Sequence, residues 1–165
     1  MAEGRIIKVS GPLIVAEGMN DARMFEVARV SESELIGEII ELHGDRAYIQ
    51  VYENTSGLGL GEKVVSTGNS LSIELGPGLL QSIYDGIQRP LDVIYGEKGH
   101  YITRGVDIPG LDRKKKHSFE PEAGLRVGDE IGVGDLLGEV RETELISHRV
   151  MVPPTVRGGK LVRKP

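Results

Sequence analysis

Hydrophobic positions fall in short, β-branched runs that glycines and polar turns interrupt: Arg5-Ile-Ile-Lys-Val9, Leu13-Ile-Val-Ala16, Met24 to Val30, Leu35 to Leu42 and Arg46 to Tyr52. Runs of this length and alternation predict strands. His43-Gly44-Asp45 lies between the last two runs, and a glycine there takes positive φ without a Cβ penalty, so the pair is expected to form a hairpin. Ala47, Ile49 and Val51 then share one face. Tyr48, Gln50 and Tyr52 occupy the other, a half-polar side suited to a barrel exterior or a neighbouring subunit. Lys63 to Val65 and Leu71 to Glu74 are expected to add two shorter strands. A small closed barrel of about six strands is the economical way to hide the edges of so many short strands.

The period changes at Gly76. Leu79, Leu80, Ile83 and Tyr84 stand at i, i+1, i+4 and i+5, with Gly86 where a C-cap glycine belongs, which predicts a short helix over 78–85. Pro90 is expected to forbid its continuation. From Gly96 to Pro121 the pattern is irregular and holds the basic run Arg113-Lys-Lys-Lys116 followed by His117. Strand character returns at Leu125–Val127, Glu130–Ile131, Leu136–Val140, Leu145–Ile146 and Val150–Val152, before Pro153-Pro154. The fold class expected is therefore mainly β: an N-terminal barrel over 1–75, a linker with one short helix over 76–94, and a second all-β unit of barrel-sandwich type over 95–165. That second unit lacks enough strands after Val140 to close by itself and reads as shortened. Closure is expected from residues 98–106, with Leu161-Val162 as the last edge.

Composition narrows the functional classes. There is no cysteine among the 165 residues, which excludes a disulfide scaffold, a thiolate nucleophile, an iron–sulfur cluster and a Cys-based zinc site. No apolar run approaches the ~18 residues of a membrane span, and the N-terminus has no signal-peptide order. A cytoplasmic protein without membrane insertion is the simplest reading. Residues 1–94 hold 7 basic and 14 acidic residues and residues 95–165 hold 13 and 11. The acidic first half argues against nucleic-acid binding, which rewards clustered Lys and Arg. The basic run at 113–116 reads as a solvated loop, since only Phe119 stands near it as a stacking partner.

No catalytic, nucleotide-binding or metal site is expected in the chain. A phosphate-cradling loop needs G-x-x-x-x-G-K-[ST]. The nearest string, Gly158-Gly-Lys160, has Pro154 at the first glycine position and Leu161 at the hydroxyl position. His43, His100, His117 and His148 are isolated from one another, without metal-ligand spacing. Ser56 in Thr55-Ser-Gly57 does not form the G-x-S-x-G elbow of a hydrolase.

Val127-Gly-Asp-Glu-Ile131 and Gly134-Asp-Leu-Leu-Gly-Glu-Val140 are similar to the half-repeat of biotinyl and lipoyl carrier domains. The carrier lysine is missing, because Arg141-Glu-Thr-Glu144 fills its hairpin. Over residues 4 to about 154 the chain resembles the N-terminal part of the catalytic A subunit of V/A-type rotary ATPases. The likeness rests on Gly4-Arg-Ile-Ile-Lys-Val-Ser-Gly-Pro-Leu13, Leu35 to Ile40, Ile49 to Glu53, and above all Leu75-Gly-Pro-Gly-Leu-Leu80 running into Ile83-Tyr-Asp-Gly-Ile-Gln-Arg-Pro-Leu91. Tyr101 to Gly105, Leu111 to Lys115 and His148 to Pro154 extend it into the insertion that separates A subunits from B subunits. The chain has His117 where the family usually has Trp, and the ending after Val156 departs from the pattern.

The resemblance implies a six-stranded barrel in a crown ring, a linker helix and an outward bulge domain. It implies B subunits and stator subunits as partners, a place at the cytoplasmic face of the membrane, and Mg-ATP as the cofactor of the parent subunit, with none held by this chain. The function expected is the non-catalytic assembly portion of that subunit. The alternative is a free-standing small barrel that binds nucleic acid or protein.

Overall fold

The computed structural model describes residues 2–163, so the outer limits of the expected domains, 1 and 165, lie outside the described residues. The chain divides into two compact units, each made of two segments. The first takes residues up to Ile73 and Asp85–Ile108, and the second takes Glu74–Tyr84 and residues from Pro109 onward.

The first unit is a closed barrel. Its strands are β1 (Glu3–Ser10), β2 (Leu13–Glu17), β3 (Glu26–Val30), β4 (Leu35–His43), β5 (Arg46–Val51) and β6 (Lys63–Ser70). They close in the order β1-β2-β5-β4-β3-β6, every pair antiparallel. β6 pairs with β1 on one side and β3 on the other, which leaves the sheet no free edge. The interior is filled by side chains from alternate positions of each strand, among them Ile6, Ile14, Val30, Leu35, Ile39 and Ile49, all essentially without exposure. Ala47, Ile49 and Val51 all face inward as their alternation predicts. The β4–β5 hairpin closes at Gly44 with φ 61, and His43 pairs with Arg46. On the outer wall the Tyr52 hydroxyl donates to Glu38 Oε2 at 2.9 Å. Burial, then that bond and the glutamate's charge, push the Tyr52 phenol above its usual value.

Two expectations for this half are corrected. Leu71–Glu74 is not a strand. Its alternating apolar side chains, Leu71 and Ile73, are exposed, whereas β6 continues instead through the polar stretch Ser66–Ser70. What holds that stretch is hydrogen bonding rather than apolar burial: the buried Ser66 hydroxyl donates to the buried Glu26 carboxylate, and Thr67 Oγ1 donates to the Val27 carbonyl at 2.9 Å. The second correction concerns the helix. Over 78–85 there is only a 3-10 turn, Leu79–Gln81, and the α-helix, α1, spans Leu91–Lys98. Pro90 is its N-cap, because a residue with no N–H loses nothing at the start of a helix, where the first amides have no intrahelical partner. Ile94 is the buried residue of α1.

The second unit holds a three-stranded antiparallel sheet of β7 (Phe119–Pro121), β9 (Leu136–Arg141) and β10 (Ser147–Met151), in the order β10-β9-β7. β8 (Glu130–Ile131) pairs with β11 (Gly159–Lys160) in a separate two-stranded ladder. The ladder extends one residue further, because the Leu161 amide donates to the Asp129 carbonyl and the Gly128 amide to the Leu161 carbonyl. Leu125–Val127 and Leu145–Ile146 are not strands. Closure does not come from 98–106, which belongs to the first unit. β7 supplies the facing edge instead, packed so closely that a Cβ on Gly138 would collide with the Glu120 carbonyl and the Phe119 ring.

The burial pattern makes a stability contrast. Ile49→Ala removes a fully buried barrel side chain and is expected to cost about 2–5 kcal/mol. Leu80→Ser, at a position 53% exposed, should stay within about 0.5 kcal/mol. Chemical denaturation of the two variants beside the unmodified chain checks both values.

Candidate functional site

The most buried charge cluster grows out of the end of β5. Glu53 stands two residues after Val51, the end of that strand, and its side chain is only 8% exposed. Its Oε2 accepts the Gly105 amide at 2.9 Å and lies 3.4 Å from Arg89 Nη1, and its Oε1 accepts the Ile36 amide at 3.5 Å. One carboxylate thus touches β4, the segment before α1 and the segment after it. Arg89 in turn holds Asp85 through Nε to Oδ2 at 2.7 Å. Asp85 Oδ1 accepts the amides of Ile87 and Arg89 at 3.1 and 2.9 Å, and the Asp85 amide donates to the Arg89 carbonyl. Residues 85–89 are therefore a self-closed turn that delivers its guanidinium to the barrel.

Burial alone would push the Asp85 carboxyl up. The amide and guanidinium of Arg89, the Ile87 amide and the arginine's charge outweigh it and hold the group below its usual value. Arg89 Nη1 is fully buried and makes no hydrogen bond, so its proximity to Glu53 is an ion pair of charge rather than of directed bonding.

Downstream of α1 a strap completes the arrangement. The Arg104 guanidinium donates to the Ser56 carbonyl, Asp107 pairs with Arg29 at 3.2 Å, and Val106 between them is buried. Gly105 has φ 67, and a Cβ there would collide with the Ser33 carbonyl. Only glycine permits both that backbone and that approach.

The second unit has a related device. Glu142, 6% exposed, accepts the amides of Gly78 and Leu80 and lies 3.8 Å from His148 Nδ1. It pins the 3-10 turn to the sheet. Beside it, a depression of about 220 Å³ is lined by Glu120, Glu139, Arg141, Glu144 and the β9–β10 hairpin residues Leu145–Ser147.

The residues weighed from sequence for chemistry stay apart. His43 lies against Glu41 at 2.6 Å, His148 against Glu142, and His100 against the Tyr95 ring at 5.1 Å. Among the described residues no group of three or more His, Cys, Asp or Glu could hold a metal ion. In the basic run, Arg113 pairs with Glu74 at 2.5 Å and the Lys114 amide caps on Asp112. No helix among the described residues is long and apolar enough to cross a membrane. Sequence reading missed the Glu53–Arg89–Asp85 cluster. The only local signal was the four-residue spacing of Asp85 and Arg89, which suits an ion pair in a helix that does not form here.

Both β parts of this architecture, the six-stranded barrel and the second β unit, are matched by family models. Residues 6–68 match the ATP synthase alpha/beta family, beta-barrel domain, and residues 108–164 match the ATPsynthase alpha/beta subunit barrel-sandwich domain. The chain belongs to the ATP synthase alpha/beta family. Within that family it is 60% identical over 158 residues to a V-type ATP synthase alpha chain of Acetivibrio thermocellus, which covers 96% of this chain and 26% of the relative. The A subunit of an A-type ATP synthase of Pyrococcus abyssi is 59% identical over 158 residues, 96% of this chain and 15% of the relative. A V-type ATP synthase alpha chain of Clostridioides difficile is 58% identical over the same length. The chain thus corresponds to the N-terminal region of V-type alpha chains and A-type A subunits and spans about a quarter or less of the length of these relatives. Membership in the ATP synthase alpha/beta family supports this reading over a free-standing binding module. The barrel-sandwich match runs through residue 164, which corrects the expected departure from the family pattern after Val156.

Breaking the latch should be costly. Glu53→Ala leaves Arg89 with Asp85 as its one remaining carboxylate and takes the acceptor from the Gly105 amide, and is expected to destabilise the first unit by about 1–3 kcal/mol, read by denaturant midpoint. Gly105→Ala should release the strap, visible as faster exchange of the residue-105 and Val106 amides than in the unmodified chain while Ile49 stays protected. Because the folded Asp85 value is depressed, its contribution is present above about pH 3.9, the unfolded value, and is lost as pH falls through the folded one. Asp85→Asn should therefore lower stability at pH 7, and the gap to the unmodified chain should close in acid below about pH 4.

Proposed function

We propose that the chain is the non-catalytic assembly portion of the A subunit of a V/A-type ATPase, a complex that couples ATP synthesis or hydrolysis to proton or sodium transport. The observation that carries this reading is the order of the two family domains on one chain, with the Glu53 latch holding the connecting segment against the barrel. A barrel without sheet edges is suited to lateral packing in a ring, because its neighbours meet side chains rather than unpaired amides. The partners are the B subunits of the alternating head and the adjacent stator subunits. The chain lies at the cytoplasmic face of the membrane, held there through the assembly and not by insertion. Mg-ATP belongs to the parent subunit, since this chain has no glycine-rich loop ending in Lys-Ser or Lys-Thr to cradle phosphates.

Two titrations test this. The purified chain should bind the B subunit of the same ATPase in sedimentation or calorimetry, and should show no heat or protection with Mg-ATP. Micromolar affinity for the nucleotide, or no binding to the B subunit when both are at tens of micromolar, would overturn it.

A further inference from the structure

Phe25 stands in the left-handed region, φ 66. It occupies the third position of a turn closed by the Glu26 amide on the Arg23 carbonyl at 3.3 Å. Turns with positive φ at that position are ordinarily filled by glycine or asparagine, because a side chain crowds the backbone there. Among the described residues the other non-glycines with positive φ are Ser31, Glu34 and Gln88, all polar. A bulky aromatic is the exception, and the core does not account for it, since Phe25 is 58% exposed.

Backbone bonding holds the corner in place. The Phe25 amide donates to the Ile39 carbonyl at 2.8 Å, which seats the turn on β4 at its bulge. Ile40 is the extra residue of that bulge, between the Ile39–Ile49 and Glu41–Tyr48 pairings. It is 39% exposed and Met24 is 41% exposed. A strained turn and a bulge, two separate irregularities, thus bring large apolar side chains to one place on the outer wall. Strain of this kind persists where the surrounding structure enforces it and gathers at functional sites. Phe, Met and Ile together have the composition of an interface anchor.

We propose that the Met24–Phe25 corner with Ile40 is the anchor by which the barrel grips a different subunit of the assembly, on a surface that is apolar at its centre and basic at its rim. The charge of the barrel selects that chemistry. Residues 1–73 hold 6 basic and 11 acidic residues, so a second copy of this barrel is repelled and a basic face is attracted. The proposal rests on the assembly reading above and assigns it a contact.

The test uses the full chain and the purified B subunit of the same ATPase, with Phe25→Gly and Phe25→Asn. Both replacements suit a left-handed turn, so each variant should melt at the same temperature as the unmodified chain or higher. Affinity of each for the B subunit should fall about tenfold or more, and the unmodified pair should weaken between about 50 and about 500 mM salt. Leu80→Ser should bind like the unmodified chain. Equal affinity of the Phe25 variants, with the unmodified chain binding, overturns the anchor and leaves the assembly reading standing. A lower melting temperature in both variants overturns it as well, because Phe25 would then be kept by folding. Dimers of the unmodified chain that dissociate on Phe25→Asn would overturn the choice of a different subunit. No binding by the unmodified chain removes the assembly reading and the anchor together.

Discussion

Everything in the first unit depends on β6, which closes the barrel by pairing with β1 and β3 at once. Without it the two outer strands would carry free edges, and the inward face would open to water. Lys63–Val65, with Val64 buried, makes the pairing with β1, and the polar half of the strand, Ser66 to Ser70, is secured on β3 through Ser66 on Glu26 and Thr67 on the Val27 carbonyl. A buried carboxylate is expensive unless its oxygens are occupied, so the Glu26–Ser66 pair ties the closure to one register. Closure in turn fixes where β5 ends, and hence where Glu53 can reach.

The latch carries that rigidity to α1 and to the segments on either side of it. Glu53 collects a strand amide, an arginine that precedes α1 and a glycine that follows it, so the helix is held at both of its ends by one side chain. The exit from the barrel is thereby defined by charge and backbone bonding rather than by an apolar face. This agrees with α1 itself, in which only Ile94 is buried while Val93 and Tyr95 remain exposed. In the second unit Glu142 does the same for Gly78 and Leu80. Both units use an occluded glutamate to accept amides of irregular backbone, Gly105 in the first and Gly78 and Leu80 in the second.

Strands were legible where apolar alternation coincided with a turn residue, as at Leu35–Leu42, His43-Gly44-Asp45 and Arg46–Tyr52. Reading failed where periodicity and bonding disagreed. Leu79, Leu80, Ile83 and Tyr84 have helical spacing, but Gly78 at φ 109 and the capture of its amide by Glu142 break the chain there. Leu71 and Ile73 alternate like a strand and join no sheet, while the polar Ser66–Ser70 pairs with β3. Pro90 has the same chemistry at the end of a helix and at its start, and the neighbouring residues alone do not distinguish the two. The latch was beyond local reading because Glu53, Arg89 and Gly105 are brought together only by the closed barrel. The family resemblance, carried by contiguous motifs such as Leu75 to Leu80, needed no such long-range information.

Each unit is made of two stretches of chain, so the backbone passes from one to the other after Ile73, Tyr84 and Ile108. This bears on how the protein emerges from a ribosome. All six barrel strands have been made once Ser70 is added, yet the arginine, helix and strap that complete the unit follow only after the Glu74–Tyr84 stretch. That stretch must wait in turn for β7 to β11 before Glu142 can hold it. For tens of residues of synthesis the nascent barrel therefore carries a Glu53 that has the Ile36 amide but neither Arg89 nor Gly105, a half-made contact in its wall that the finished molecule no longer presents.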